Sequence, residues 1–400
     1  MVVNVGKLVL AAAALMIAPL AGCGHDGGES NNSSPKFYIR TAADLNAVRQ
    51  NLSGNYKLMN DISLADYDTG SGWQPIGTLS AAFTGRFNGN GHKITGLFID
   101  RPTEDFVGLF GCIGGIGGGC SISDLGVEIA DGGVTGGLYA GGIVGVTIGS
   151  DVTPNSTIIN CYSTGNITAV ITILRSSVGG IAGSLSSCAI TNCFSTGNIT
   201  ADLNGFSGGI AGEAFVSTVT NCYSTGNVSA PDGDCGGIVG DLANTSTITG
   251  CYSTGIISSF SSSFPYSDDA GGIAGVVRNG SAITNCAAIN PAINGHNRAG
   301  RIAAVGYVDS ISDSGPVSGP VTITNNFALT GMKTAGAAQF DVSDTRLYGV
   351  DKTNAQLQTQ STYSDAVKGD GWGGLGWKFG NDDDNPWKMV EGGYPILYRQ

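Results

Sequence analysis

The sequence predicts an all-β protein built as a parallel β-helix: a solenoid of coils about 30 residues long, with a short capping helix at its front and an aromatic-rich cap at its back. Three observations carry this expectation. A glycine motif returns along the chain as GGIVG from Gly141 to Gly145, GGIAG from Gly179 to Gly183 and from Gly208 to Gly212, GGIVG from Gly236 to Gly240, GGIAG from Gly271 to Gly275, and a degraded GRIAA from Gly300 to Ala304, at spacings of 28 to 38 residues. Between copies lie short β-branched segments such as STVTNCYS and STITGCYS, bounded by Gly-Asn turns, and no copy carries a helical stripe. Composition agrees, since 65 of 400 residues are Gly and only 12% are charged, against about 25% in an ordinary globular domain.

The elements follow in chain order. Residues 1–22 hold one Lys, Lys7, and then the apolar run LVLAAAALMIAPLAG, too short for a comfortable transmembrane helix, which predicts a secretory signal. Its end, Leu20-Ala21-Gly22-Cys23, resembles the lipobox of bacterial lipoproteins. That resemblance implies a lipid on Cys23, a membrane partner through it, and, with Gly24 where inner-membrane retention uses Asp, an outer-membrane lipoprotein at the cell surface. Residues 23–36, containing GHDGGESNNSSPK, read as a flexible tether with a reach of roughly 20 Å.

Residues 37–100 are expected to hold the N-terminal cap and the first coils. Thr41 followed by Asp44, with Leu45, Val48 and Leu52 on one face, predicts a capped short helix. Residues 101–335 hold the repeats. Stacked coils put equivalent residues into columns, so Ile190, Val219, Ile248 and Ile283 form one aliphatic column. Three positions on, Cys161, Cys193, Cys222, Cys251 and Cys286 form another, shared with Leu97 and Leu125 in the earlier coils. A site that takes Leu or Cys is apolar and interior. Two inward residues three apart require a bend, at Asn160, Asn192, Asn221 and Asn285, a residue type that tolerates left-handed backbone. The next residues, Tyr162, Phe194, Tyr223 and Tyr252, are then expected to point outward as an exposed surface stack, the candidate ligand-binding strip. Residues 336–400 contain Trp372, Trp377, Trp387 and YPIL from Tyr394 to Leu397, bulky residues expected to plug the open end.

This pattern resembles the GLUG-motif repeats of bacterial surface proteins. Such repeats stand beside filamentous-haemagglutinin-like adhesin regions and in the noncatalytic part of large zinc peptidases that cleave immunoglobulin A. Here VGLFG, ending at Gly111, is a degraded form of the naming motif, and FTGRFNGNGHKITGLFID from Phe83 to Asp100 is similar to the family's first coil. The resemblance implies a right-handed β-helix; periodicity alone leaves the hand open.

Chemistry is sparse. A net charge of −12 argues against nucleic acid as a partner. Ten cysteines less Cys23 leave nine, and stacked Cys with parallel Cβ vectors suit a disulfide poorly, so a mostly unpaired thiol ladder is expected. The histidines are His25, His92 and His296, with no HExxH and no paired CxxC, so no catalytic residue, metal or cofactor is expected and the peptidase activity of the relatives is not carried over. Asp232-Gly233-Asp234, Asp268-Asp269 and Asp382-Asp383-Asp384 read as solvated acidic loops, with calcium binding as the alternative. Asp202, Asp241 and Arg278 could converge on one flank.

The expected function is noncatalytic adhesion or cell-envelope interaction, with a glycan or a host or neighbouring-cell surface as ligand. Two alternatives stand beside it, a polysaccharide lyase or hydrolase on the same scaffold and a structural spacer. A lateral groove with two close carboxylates would favour the enzyme, an exposed aromatic stack the binder.

Overall fold

The computed structural model describes residues 37–398 apart from 116–118, 150–153, 171–174, 203, 261–267, 308–319, 336–348 and 365–373. Cys23 and the tether therefore lie outside the described residues, as does Trp372. Within them the chain is a parallel β-solenoid. One representative coil runs through strands Phe206–Gly208, Ala211–Phe215, Thr218–Thr220, Tyr223–Ser224 and Val228–Ser229. Each strand pairs in parallel with its counterpart about one coil away, Val219 with Ile190 and Ile248, Tyr223 with Phe194 and Tyr252. The stack makes two seven-stranded sheets, a ten-stranded sheet and a sixteen-stranded sheet to which most coils give two short strands.

The glycine motif makes the corner between the two seven-stranded sheets. A Cβ on Gly209 would lie 2.2 Å from the Gly237 carbonyl oxygen and 2.3 Å from Ser224 Oγ, so only Gly lets consecutive coils and the opposite wall approach this closely. Ile210 between the glycines is wholly buried. The opposite wall is a serine column, in which Ser163 and Ser253 donate to the carbonyls of Gly180 and Gly272. This accounts for the Ser of the first and fourth Ser-Thr-Gly repeats, a role that composition did not suggest.

The bends fall where expected. Asn160, Asn192, Asn221 and Asn285 have φ of 55°, 54°, 51° and 58°, and Asn325 joins them at 55°. Their side chains form a ladder, Asn192 Nδ2 donating to Asn160 Oδ1 at 3.2 Å and Asn221 Nδ2 to Asn192 Oδ1 at 3.3 Å. A second ladder follows, with Asn166, Asn198 and Asn227 accepting from the backbone N–H of Asn198, Asn227 and Ile256. These carboxamides occupy turn groups that a corner would otherwise leave to water.

Leu125 stands in the cysteine column, because Tyr162 pairs with Gly126. Leu97 does not. Its strand, Lys93–Asp100, bulges at Gly96, whose φ is 72°, and shifts register between Thr95 and Leu97, so Leu97 pairs with Ile129 instead. Leu97 is still wholly buried in the core.

At the front, a helix α1, Ala42–Ala47, begins with Thr41 accepting from the Asp44 N–H, and the Asp44 carboxylate accepting from Thr41 N–H in return. Leu45 and Val48 are wholly buried and belong to the same core as the inward columns. The back is different from the expected plug. Val350–Lys352 extends the sixteen-stranded sheet, and the chain then passes through a two-stranded hairpin, Trp387–Met389 with Pro395–Leu397, that lies along the flank of the solenoid. Its apolar residues pack on coils of the repeat as a strap.

Candidate functional site

The predicted aromatic ladder is real in its register and spacing. Tyr162, Phe194, Tyr223 and Tyr252 stack with centroid separations of 4.9, 5.1 and 4.9 Å and interplanar angles of 12°, 2° and 3°. Its expected exposure is overturned. Phe194 is 9% exposed and Tyr223 and Tyr252 2% each, while only Tyr162 stays half-buried. The strap covers them. Trp377 and Trp387 stack on each other at 4.5 Å and flank Tyr252 at 6.2 and 5.9 Å, and the Tyr252 hydroxyl donates to the Pro395 carbonyl at 2.7 Å. The physical reason is that a flat aromatic strip on a sheet is a large apolar area, and the tryptophans taken for an end plug are what remove it from water.

The cysteine column faces inward as expected. Cys193, Cys222, Cys251 and Cys286 are wholly buried and Cys161 nearly so, all as free thiols. Neighbours are linked without a covalent bond: the N–H of Cys193 donates to Cys222 Sγ at 3.4 Å, and Cys222 Sγ donates to the Thr220 carbonyl at 3.1 Å. Burial pushes the thiols of Cys161, Cys193, Cys222 and Cys251 well above the ordinary range. These thiols are structural, since a nucleophilic Cys needs a lowered pKa and access.

The acidic runs divide. Asp382, Asp383 and Asp384 are exposed, as expected of a solvated loop. Asp232, Asp234, Asp268 and Asp269 are buried, because they border or lie within strands of a seven-stranded sheet rather than in open loops. Asp269 holds Arg298 through two bonds of 2.9 and 2.8 Å, Asp234 lies 3.7 Å from Arg175, and Asp241 pairs with Arg278. Asp202 takes no part in these pairs; it follows strand Ile199–Ala201 of the sixteen-stranded sheet. Beside Asp241, its register partner Glu213 is 6% exposed, and both carry one buried oxygen without a hydrogen-bond partner. Burial pushes Glu213 up to about 7, the Ser184 hydroxyl opposing the rise and the charge of Asp241 adding to it. Asp234 is pushed up to about 8 by burial and by Asp269, against the pull of Arg175.

Sequence reasoning missed Glu213, although a signal existed. It directly follows the third glycine of its motif, a position that Ser184 and Asp241 share and that every repeat places in a strand. A further feature was not foreseen. A cavity of about 260 Å³ opens between the strap and the asparagine ladder, at the one coil of the central repeats where Gly250 replaces the ladder Asn.

Comparison with known proteins places the repeat. Residues 175–200 match the family model described as the GLUG motif. A provisionally named Gly-rich membrane protein of Evansella cellulosilytica is 46% identical over 92 residues, 22% of this chain and 10% of its own length. Halomucin of Haloquadratum walsbyi is 32% identical over 168 residues, 39% of this chain and 2% of its own. The chain thus spans a small fraction of the curated relatives it matches. Among solved structures, a provisionally assigned immunoglobulin A1 protease from Bacteroides ovatus aligns over 93% of this chain and 95% of its own, at 22% identity and a TM-score of 0.56. That likeness is one of fold.

Proposed function

We propose that this chain is a noncatalytic cell-surface interaction module, a rigid solenoid anchored through a lipid on Cys23 and acting in adhesion or cell-envelope contact. The observation that carries this is the destination of the chemically able side chains: thiols fill the interior, and the flank carboxylates Asp241 and Asp269 are buried against arginines. What remains presented is a long, stiff, acidic body with clefts at its strap. The names of the relatives, a membrane protein and a halomucin, support a surface setting.

The test is binding of the purified chain to bacterial cells and to isolated envelope polysaccharide, with product analysis alongside. Saturable binding without polymer cleavage is expected, together with release of the protein from membrane fractions by Cys23→Ser. Chain shortening of the polysaccharide would overturn the noncatalytic assignment.

One observation favours a second reading, a polysaccharide hydrolase. Glu213 and Asp241 stand side by side in register, with burial pushing Glu213 up towards neutrality and Asp241 paired with Arg278, two carboxyls in unlike surroundings on one flank. Cleavage abolished by Glu213→Gln would establish that reading.

A further inference from the structure

The asparagine ladder has a consistent direction. Each Nδ2 donates to the Oδ1 of the preceding coil: Asn192 to Asn160, Asn221 to Asn192, and Asn325 to Asn285. Between Asn221 and Asn285 stands Gly250, with φ of 66°, the same left-handed backbone but no side chain. The break leaves Asn221 Oδ1 as an acceptor and Asn285 Nδ2 as a donor with no ladder partner, facing each other across two coil steps, about 9.6 Å. An asparagine there would accept from one and donate to the other. Its absence leaves the ladder side of the cavity of about 260 Å³ open, with Asn221, Gly250 and Asn285 in the lining.

We propose that this gap binds the acetamido group of an N-acetylated hexosamine. A trans secondary amide carries its N–H and C=O in one plane and pointing in opposite directions, the arrangement the ladder uses. The ligand N–H would donate to Asn221 Oδ1 and its carbonyl would accept from Asn285 Nδ2, so that the acetamide stands in for the missing side chain. The strap supplies the rest. Leu375, Trp377 and Pro386 form an apolar wall for the acetyl methyl and the C–H face of the ring, with Trp377 fixed by its indole N–H donating to the Asn285 carbonyl at 2.8 Å. Exposed Lys378 and Asp384 at the mouth offer partners to hydroxyls. The volume lies just below the range of about 300–1,000 Å³ typical of larger ligands, which suits one sugar ring. A terminal acetyl group ends in the cavity, whereas a peptide amide would have chain to place on both sides.

The proposal deepens the reading as a surface-binding module, and rests on it only for where the ligand is met. Calorimetry or saturation-transfer NMR on the purified chain, with N-acetylglucosamine and its β1,4-linked oligomers, tests it. Glucosamine, glucose and N-acetylalanine amide serve as the comparison ligands. Glucosamine and glucose are expected to bind at least about tenfold more weakly, the loss of two hydrogen bonds to the amide. Gly250→Asn should abolish binding while raising the melting temperature, because the one close approach of its new Cβ is to the movable Asn221 Oδ1, at 2.7 Å, the next contacts, Asn221 N and Trp377 Nε1, are ordinary ones at 3.8 Å, and its carboxamide completes the ladder. Asn285→Asp, which keeps the acceptor for Asn325 and removes the donor, should weaken binding at least about tenfold and covers the case in which the first variant does not fold.

No binding of any N-acetylated sugar, or undiminished binding by folded Gly250→Asn, overturns the site. Equal binding of N-acetylalanine amide overturns the sugar assignment. Sugar binding that persists in a chain with no affinity for cells would instead remove the adhesion function and leave the site standing.

Discussion

Replacing Cys222 by Asp should destabilise the protein by an amount set by pH, and the structure fixes its ceiling. Cys222 is wholly buried between Cys193 and Cys251, each one coil step of about 4.8 Å away. Burial without a cationic partner raises a carboxyl by as much as 3–5 pKa units. The folded protein escapes the full cost by keeping the proton, which at pH 7 costs about 1.36 kcal/mol for each unit between 7 and the unfolded value near 3.9, or about 4 kcal/mol. The folded variant retains its proton while the unfolded chain releases it above about pH 3.9, so stability falls as pH rises through that value. At pH 4.5 the same sum leaves under about 1 kcal/mol. Cys222→Ala, in contrast, removes one sulfur and its weak hydrogen bonds, costing about 1–2 kcal/mol at either pH. Urea denaturation of both variants and the parent at pH 4.5 and 7 measures the difference. A gap between Asp and Ala that opens by about 3 kcal/mol from the acid to the neutral condition is expected. Equal small effects, or a gap independent of pH, would refute the inward-facing column.

Other substitutions probe the remaining structure. Trp387→Ala, which empties the stack against Trp377 and Tyr252, should loosen the strap at a cost of about 3–5 kcal/mol, read as new proteolytic cleavage after residue 350 and as a dye-binding apolar strip. Glu213→Gln should match the parent near pH 4 and exceed it in stability at pH 8, because a carboxyl held up to about 7 makes the parent lose stability as pH climbs from its unfolded value to that point; identical melting curves at both pH values would contradict this. Gly209→Ala should cost about 3 kcal/mol or more, since its methyl meets the Gly237 backbone, and a normal melt would show that the corner can widen.

The periodic part of this fold was legible because stacking repeats one environment. Ile190, Val219 and Ile248 announce a column, and the bends at Asn192 and Asn221 follow from two inward residues three apart. Leu97 was misplaced because the left-handed residue before it, Gly96, marks a bulge and register shift within one strand rather than the corner between two. The aromatic ladder shows the boundary more sharply. Its spacing is a local property and could be read, whereas its burial depends on Trp387, 135 positions beyond Tyr252, and no pattern within the repeat encodes that contact. The buried carboxylates were missed for a related reason. Asp234 resembles a turn residue in Asp-Gly-Asp, yet it sits two places before the glycine pair, as Phe206 and Ser177 do, and that offset decides its environment. The cavity at Gly250 needed both the ladder's direction and the strap's path.

A stack in which each coil touches only its neighbours should peel like a zipper under tension, one coil at a time and each for a small force. The strap changes the mechanics. Its apolar side reaches coils from Phe194 to Phe327, and the bond from Tyr252 to Pro395 joins residues 143 positions apart. Pulled from its front, the molecule would shed coils singly until tension arrived at the strapped block, which has to give way in concert. A force trace would then show a run of low, even steps followed by one tall rupture, the signature of a tether with a built-in stop.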